Sequence, residues 1–267
     1  MVPRFENEPV GSVSALCGWR PPTEEEMAGI VQLPADAPAP GGITRPEDIP
    51  TDFDSATQWP KCAKVINDIR DQSMCGCCWA FGTAEAASDR MCIATDGATL
   101  VPLSSEEMCF CSNPDGCNGG SPAAAWSWVK QHGLVSGKQQ KFTGSGTDPD
   151  PFAGTDTCSD FSKPHCHHHG PTGSDPFPAE GTAGCPNQKS DKCPTKCDAG
   201  SSKTFADDKY TFKGSVAMYG KNETYLQAAI MANGPVTVAF TVYSDFENYA
   251  GGICKFSRFA TLSISLA

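Results

Sequence analysis

No apolar run in the 267 residues approaches the length of a membrane span, and the opening Met1-Val-Pro-Arg-Phe-Glu6 has neither the basic nor the apolar region of an export signal. Cationic residues are in short supply. Lys and Arg number 20 against 31 Asp and Glu, a formal net charge of −11 with a pI near 4.8. That balance disfavours nucleic acid and anionic membranes as partners. Histidine is scarcer still: there are 5, and none follows His169. No internal repeat is evident. Cysteine, by contrast, is abundant, and 15 in one chain point to an oxidising compartment. A cysteine-rich chain without an export signal is expected to be one shortened at its N-terminus.

The length suits one large or two small domains with real cores. Residues 1–48 are rich in Pro, Glu and Ala and offer little for a core; Pro34 to Gly42 reads as a flexible linker. From Ile49 the texture is globular. Helical spacing of Ala80, Ala84, Ala87 and Met91 predicts a helix from Cys78 to Met91. Ser121-Pro122 caps a second, reaching Gln131, and Glu223 to Met231 is a third, closed by Asn233-Gly234-Pro235. Residues 143–204 lack periodicity and read as a long loop held by disulfides. Val236, Val238, Phe240 and Val242 alternate as a strand.

The richest stretch is Gln72-Ser73-Met74-Cys75-Gly76-Cys77-Cys78-Trp79-Ala80-Phe81-Gly82, which sets a thiol where a turn gives way to a helix. A helix N-terminus, with unpaired amides and partial positive charge, favours a thiolate at Cys78. The Gln72 side-chain amide and the Cys78 backbone amide are placed to hold the oxyanion of a tetrahedral intermediate. Competing readings are a redox pair of Cys75 and Cys78, thiol ligands for a metal, and structural bridges.

The run is similar to the C-G-[SA]-C-[WY] signature of papain and the cathepsins, with Cys77 in the place of Ser or Ala. Further words carry the resemblance from Ile49 to Cys254: Gln58-Trp59-Pro60, Ile69-Arg70-Asp71-Gln72, Ser88-Asp89-Arg90, Gly116-Cys-Asn-Gly-Gly120, Cys166-His-His-His169 and Asn233-Gly-Pro235. The chain resembles the cathepsin B-like members of the papain-like cysteine peptidases. The resemblance implies an α+β, papain-like two-domain fold, with a helical left domain and a β-barrel-like right domain that is incomplete here. It implies a propeptide and linker over 1–48, with Leu16-Cys17-Gly18 at the point that lies over the cleft, and a peptidase domain over 49–267. It also implies disulfides Cys62–Cys92, Cys75–Cys117, Cys109–Cys193, Cys158–Cys197 and Cys166–Cys185, leaving Cys17, Cys77, Cys78, Cys111 and Cys254 outside them.

By the same resemblance Cys78 is the nucleophile, Gln72 an oxyanion donor, and Gly119 and Gly120 line the substrate, where a missing Cβ admits a peptide backbone. His168 and His169 match the histidine pair of the occluding loop, here about residues 158–197, which receives a substrate's C-terminal carboxylate; Asp71 matches the carboxylate that pins it. Asp175 stands near where an Arg-based second pin belongs, and the loop is longer than the family's. A zinc site at Cys166 and its histidines, and a plain solvated loop, are the rival readings. No metal and no cofactor is expected. Expected partners are peptide or protein substrates and the chain's own propeptide, with a monomer in a lysosomal or secreted setting.

A thiol peptidase also needs an imidazole base and a group to orient it. After Gly251-Gly252-Ile253-Cys254 the sequence continues into Lys255 to Ala267, where the family's Gly-Gly-His and Asn-Ser-Trp words do not appear. The expectation is a shortened or mispredicted product, inactive as written. His132 is read as a dipole partner at a helix C-terminus. Two alternatives stand beside the peptidase: a catalytically dead protein that keeps its substrate cleft, and a disulfide-rich structural or metal-binding module. Asn222-Glu-Thr224 is a glycosylation sequon.

Overall fold

A computed structural model describes residues 16–34, 37–43, 45–139, 150–164, 187–219, 222–240 and 242. In chain order they form α1 (Glu24–Met27), β1 (Val31–Leu33), α2 (Ser55–Gln58), α3 (Ala63–Ile66), α4 (Cys78–Ala94), α5 (Ser105–Ser112), α6 (Pro122–His132), β2 (Ala217–Tyr219) and α7 (Glu223–Asn233), with short 3-10 turns between. The arrangement is α+β.

Helix α4 is the axis. Ala80, Ala84 and Ala87 are fully buried, and beside them Trp79, Phe81 and Cys92 leave little surface open. Alanine at these sites lets α5 and α6 pack close. Thr83 and Ser88 are buried as well, and each returns its hydroxyl to the carbonyl one turn back, Trp79 at 2.8 Å and Ala84 at 2.7 Å. Ser88 Oγ also accepts the Leu103 amide at 2.9 Å, tying the loop before α5 to the axis. Ser104 caps α5 through the Glu107 amide, and Ser121 caps α6 through that of Ala124. The phenyl groups of Phe81, Phe110 and Phe161 close the core; Phe161 meets Phe81 edge-on at 4.7 Å and stacks on Phe110 at 6.4 Å.

Against this apolar centre lies a buried charged cluster. Arg70 pairs with Asp68 at 2.8 Å, both side chains almost wholly buried, and donates to the Leu103 carbonyl at 2.7 Å. Glu85 and Asp89, one turn apart on α4, share its field. Burial works against the guanidinium charge, but Asp68 and Glu85 outweigh it and raise its pKa. Burial pushes Glu85 up to about 8 and Asp89 to about 7, with Arg70 pulling the other way.

Three sequence expectations change here. The first is the pairing Cys109–Cys193: the structure instead joins Cys77 to Cys109 and Cys111 to Cys193. Residues two apart on a helix point about 200° apart. On α5, fully buried Cys109 faces the start of α4, while partly exposed Cys111 faces outward to residue 193. Bridges Cys62–Cys92, Cys75–Cys117 and Cys158–Cys197 are present, and Cys166 and Cys185 lie outside the described residues.

The second is the strand at 236–242. Residues 236–240 and 242 form no strand. Side chains do alternate, but Thr237 and Ala239 are the buried set, while Val238 and Phe240 face outward at 51% and 37% exposure. Thr237 Oγ1 donates to the Gly82 carbonyl and accepts from Trp126 Nε1, each at 3.0 Å, so a polar anchor on α4 and α6 sets the phase. The third is the coreless N-terminal segment. Ile30 is buried and joins the main core, and β1 pairs in parallel with β2, Gln32 opposite Met218. Backbone pairing, the buried Ile30 and Met27 packed on the core seat a segment whose composition offered little for one.

Candidate active site

The turn before α4 is built by its own polar groups. Asp71 Oδ1 accepts the Ser73 amide at 2.5 Å, and Ser73 takes a left-handed conformation, φ 56°. Cys77 is the N-cap of α4 and makes no side-chain cap. Gly76 N donates to the Cys117 carbonyl at 2.8 Å and Trp79 Nε1 to that of Gly116 at 3.3 Å. With the bridges Cys75–Cys117 and Cys77–Cys109, these bonds tie residues 75–79 to 109–117 on one side. Cys78, the first residue of α4, is a half-buried thiol.

Gly119 and Gly120 stand across from it. Gly120 packs on the Trp79 indole so closely that a Cβ would overlap the ring. Gly119 has φ 106°, and a Cβ there would lie 2.7 Å from the Gly18 carbonyl oxygen. Asn113 Nδ2 holds the Gly119 carbonyl at 2.6 Å.

Residues Leu16 to Arg20 form a strap through this cleft. Gln72 Nε2 donates to the Leu16 carbonyl at 2.9 Å and to the Cys75 carbonyl at 2.8 Å. Gly120 N donates to the Gly18 carbonyl at 2.7 Å, and Arg20 N to the Gly120 carbonyl at 2.9 Å, a parallel bridge centred on Trp19. Arg20 is then clamped to Glu26 by two bonds of 2.8 and 2.5 Å, and Glu26 closes a capping box with Thr23. Burial raises the pKa of the Cys78 thiol, opposed by backbone amides of Gly18, Trp79, Cys78 itself and Trp19. The helix N-terminus does act as the sequence suggests, but a covered site leaves the net shift upward, toward the neutral thiol.

His132, the one histidine among the described residues, ends α6; its Nδ1 lies 3.0 Å from the Trp128 carbonyl and its ring stacks on that indole at 4.7 Å. His168, His169 and Asp175, which the resemblance links to Asp71, lie outside the described residues. The Asp71 backbone exchanges two bonds with the Gln139 side chain, 2.9 and 2.8 Å. Sulfurs of Cys75, Cys77 and Cys109 cluster within 4.8 Å. All three are spent in bridges, and a bridged sulfur is not a thiolate ligand. A cavity of about 660 Å³ lies at the far end of α4, lined by Arg90, Met91, Trp126, Phe212 and Val216, away from Cys78. Sequence reasoning missed the Cys77–Cys109 bridge and the Glu85 and Asp89 cluster. The second had a signal, two acids four residues apart in an alanine-rich helix.

Residues 49–265 match the family model described as papain family cysteine protease. The chain belongs to the papain family. Among curated relatives, it is 41% identical over 212 residues to a cathepsin B-like cysteine proteinase 6 of Caenorhabditis elegans, covering 77% of this chain and 50% of that one. With a cathepsin B-like cysteine proteinase of Schistosoma japonicum, identity is 38% over 211 residues, 78% of this chain and 56% of the relative. The chain thus spans about half the length of the curated relatives it matches. Of solved structures, proCathepsin B S9 from Trypanosoma congolense superposes with a TM-score of 0.64 at 22% identity, over 98% of this chain and 71% of that one, a likeness of fold. Among the described residues no helix is long and apolar enough to cross a membrane.

Proposed function

We propose that the chain is a cathepsin B-like cysteine peptidase held by its own N-terminal segment, residues 1–48 serving as propeptide and linker and 49–267 as peptidase domain. The observation that carries this is the Leu16 carbonyl on Gln72 Nε2. A peptide oxygen sits on the donor that would hold a substrate's oxyanion, and the strap's backbone covers the Cys78 sulfur. The strap is paired with Gly120 in the cleft, where a substrate backbone would lie.

Once the strap is removed, Cys78 would attack a peptide carbonyl to form a thioester, with Gln72 Nε2 and the Cys78 amide stabilising the oxyanion. Gly119 and Gly120 would carry the substrate backbone. His168 and His169, by resemblance, would receive a C-terminal carboxylate and favour release of dipeptides at mildly acidic pH. The setting is lysosomal or extracellular and the molecule a monomer.

Among the described residues, however, the one imidazole is that of His132 at the end of α6, engaged with Trp128, and the family's Gly-Gly-His word does not appear in the sequence. Without an imidazolium partner the thiol keeps to its neutral form, since burial already pushes it up and a dipole worth about 0.3–2 kcal/mol does not restore the thiolate. The 267-residue polypeptide is therefore proposed to keep its cleft but not to turn over. Purified and freed of its strap, it should show no hydrolysis of dibasic or hydrophobic peptide reporters between acidic and neutral pH. Turnover that vanishes on Cys78→Ala would show that another group has become the base.

A further inference from the structure

Gly119 and Gly120 are both buried, and the peptide that joins them carries one carbonyl and one amide. No described peptide bond is cis, so these two groups point to opposite sides of the chain. On one side stands the strap: Gly120 N donates to the Gly18 carbonyl at 2.7 Å. On the other stands Asn113, whose Nδ2 donates to the Gly119 carbonyl at 2.6 Å.

Two adjoining glycines make such a peptide easy to turn over. Rotation about Gly119 ψ and Gly120 φ reverses carbonyl and amide while the chain path stays the same, and neither residue has a Cβ to resist it. The reversed peptide would set the Gly119 carbonyl against that of Gly18 and aim the Gly120 amide out of the cleft. A buried carbonyl needs a donor, and Asn113 supplies it in one orientation alone. Asn113 is itself held in place. It is the C-cap of α5, and its Oδ1 accepts the Asp115 amide at 3.1 Å. Asp115 Oδ1 accepts from Asn118 Nδ2 at 2.8 Å, and Gly119 N donates to the Gly116 carbonyl at 3.1 Å, closing the turn that ends at Gly119.

We propose that Asn113 is a positioning residue: by gripping the Gly119 carbonyl it keeps the Gly120 amide turned into the cleft, where it meets a carbonyl of any extended chain lying there. This deepens the reading of Gly119 and Gly120 as the residues that carry a substrate backbone, and rests on it. In the structure the Gly18 carbonyl of the strap takes this amide. A substrate carbonyl would take it once the strap is gone. The two side-chain bonds of Asn113 go to Asp115 and Gly119, so its effect on the cleft passes through the peptide.

The test uses the full chain with its strap in place. It reads amide hydrogen exchange at Gly120, as protection relative to the unfolded-chain rate, and iodoacetamide labelling of Cys78 beneath the strap. Asn113→Ala removes both side-chain bonds. Asn113→Asp keeps an oxygen for the Asp115 amide and removes the donor. At pH 7 both variants should lose at least about tenfold of the Gly120 protection and label Cys78 at least about threefold faster, while amides of α4 stay within about twofold. Below about pH 4 the introduced carboxyl is protonated and donates again, so Asn113→Asp should recover to within about threefold of the unaltered chain and Asn113→Ala should not.

Full Gly120 protection in Asn113→Asp at pH 7 would overturn the proposal, because the acceptor to Asp115 would then suffice. A loss in Asn113→Asp that acid does not reverse would overturn it as well, and so would a loss shared equally by the amides of α4, since general loosening needs no oriented peptide. None of these readouts uses turnover. An acid-reversible loss in a chain that never hydrolyses peptide leaves the peptidase reading to fall alone, and turnover with Gly120 protection indifferent to both variants leaves the role of Asn113 to fall alone.

Discussion

The helical half around α4 and the segment from Ala217 to Phe240 are secured by different means. Every described bridge lies between Cys62 and Cys197, and the three packed phenyl groups, the charged cluster at Arg70 and the capped helices α5 and α6 all belong to that half. The later segment has no described bridge. It is held by backbone pairing of β2 with β1, by Arg90 on the carbonyls of Pro235 and Gly234 at 2.6 and 3.3 Å, and by the Thr237 hydroxyl. One half is fixed by cross-links and packing, the other by polar anchors onto the first together with the buried Ala228 and Ala229 of α7.

The contrast is sharpest in the cores. Phe110→Ala should destabilise by about 3–5 kcal/mol, because the ring is fully buried, stacks on Phe161 and carries Lys163 Nζ 5.4 Å from its centre. Val238→Thr, at an exposed site, should stay within about 0.5 kcal/mol. Urea titration with the bridges intact checks both. Comparable losses at the two sites would mean that the later segment is packed as tightly as the first.

Stability should also depend on pH through the helical half. Glu85 and Asp89 sit at about 8 and about 7 in the folded chain, against ordinary values of 4.5 and 3.8. The folded state thus holds protons that the unfolded state has released, so stability falls as pH rises, from about 4 until it levels near 8. Each group contributes up to about 1.4 kcal/mol per pH unit inside its window. Glu106, pushed up to about 7 by burial that the Ser162 amide only partly offsets, adds to the same slope. The double variant Glu85→Gln, Asp89→Asn should flatten melting temperature against pH between 5 and 8 and leave the smaller Glu106 slope. An unchanged slope would show that the cluster near Arg70 does not carry it.

What the sequence made legible follows the same divide. The extents of α4, α6 and α7 could be read within three residues because caps and alanine spacing are local signals. The passage from turn to helix at Cys78 was legible as well, since the run from Gln72 to Gly82 marks it locally. The partner of Cys109 was not, because the choice between Cys77 and Cys193 depends on which face of α5 meets α4. The side-chain phase of 236–240 was also out of reach: a hydroxyl bond to Gly82, 155 residues away, overrides the apolar pattern. Site residues His168 and His169 remain sequence proposals, outside the described residues.

The smallest expected effect tests whether the two halves differ in local encoding or only in packing. Ser121 Oγ caps α6 through the Ala124 amide at 3.4 Å, and Asn222 Oδ1 caps α7 through the Tyr225 amide at 3.0 Å. Each cap satisfies one of the helix's unpaired amides and is worth about 1 kcal/mol by itself. Ser121 is buried, whereas Asn222 is partly exposed, so water can replace the lost acceptor at α7 but reaches the α6 terminus poorly. Ser121→Ala should therefore cost about 1–2 kcal/mol and Asn222→Ala about 0.5–1 kcal/mol, despite the shorter bond at Asn222. Amide hydrogen exchange at Ala124 and Tyr225 reads the two caps directly, and each should speed up only in its own variant. If Asn222→Ala proves the more costly, α7 depends on its own cap more than on its seat against α4, and the later segment is locally encoded after all.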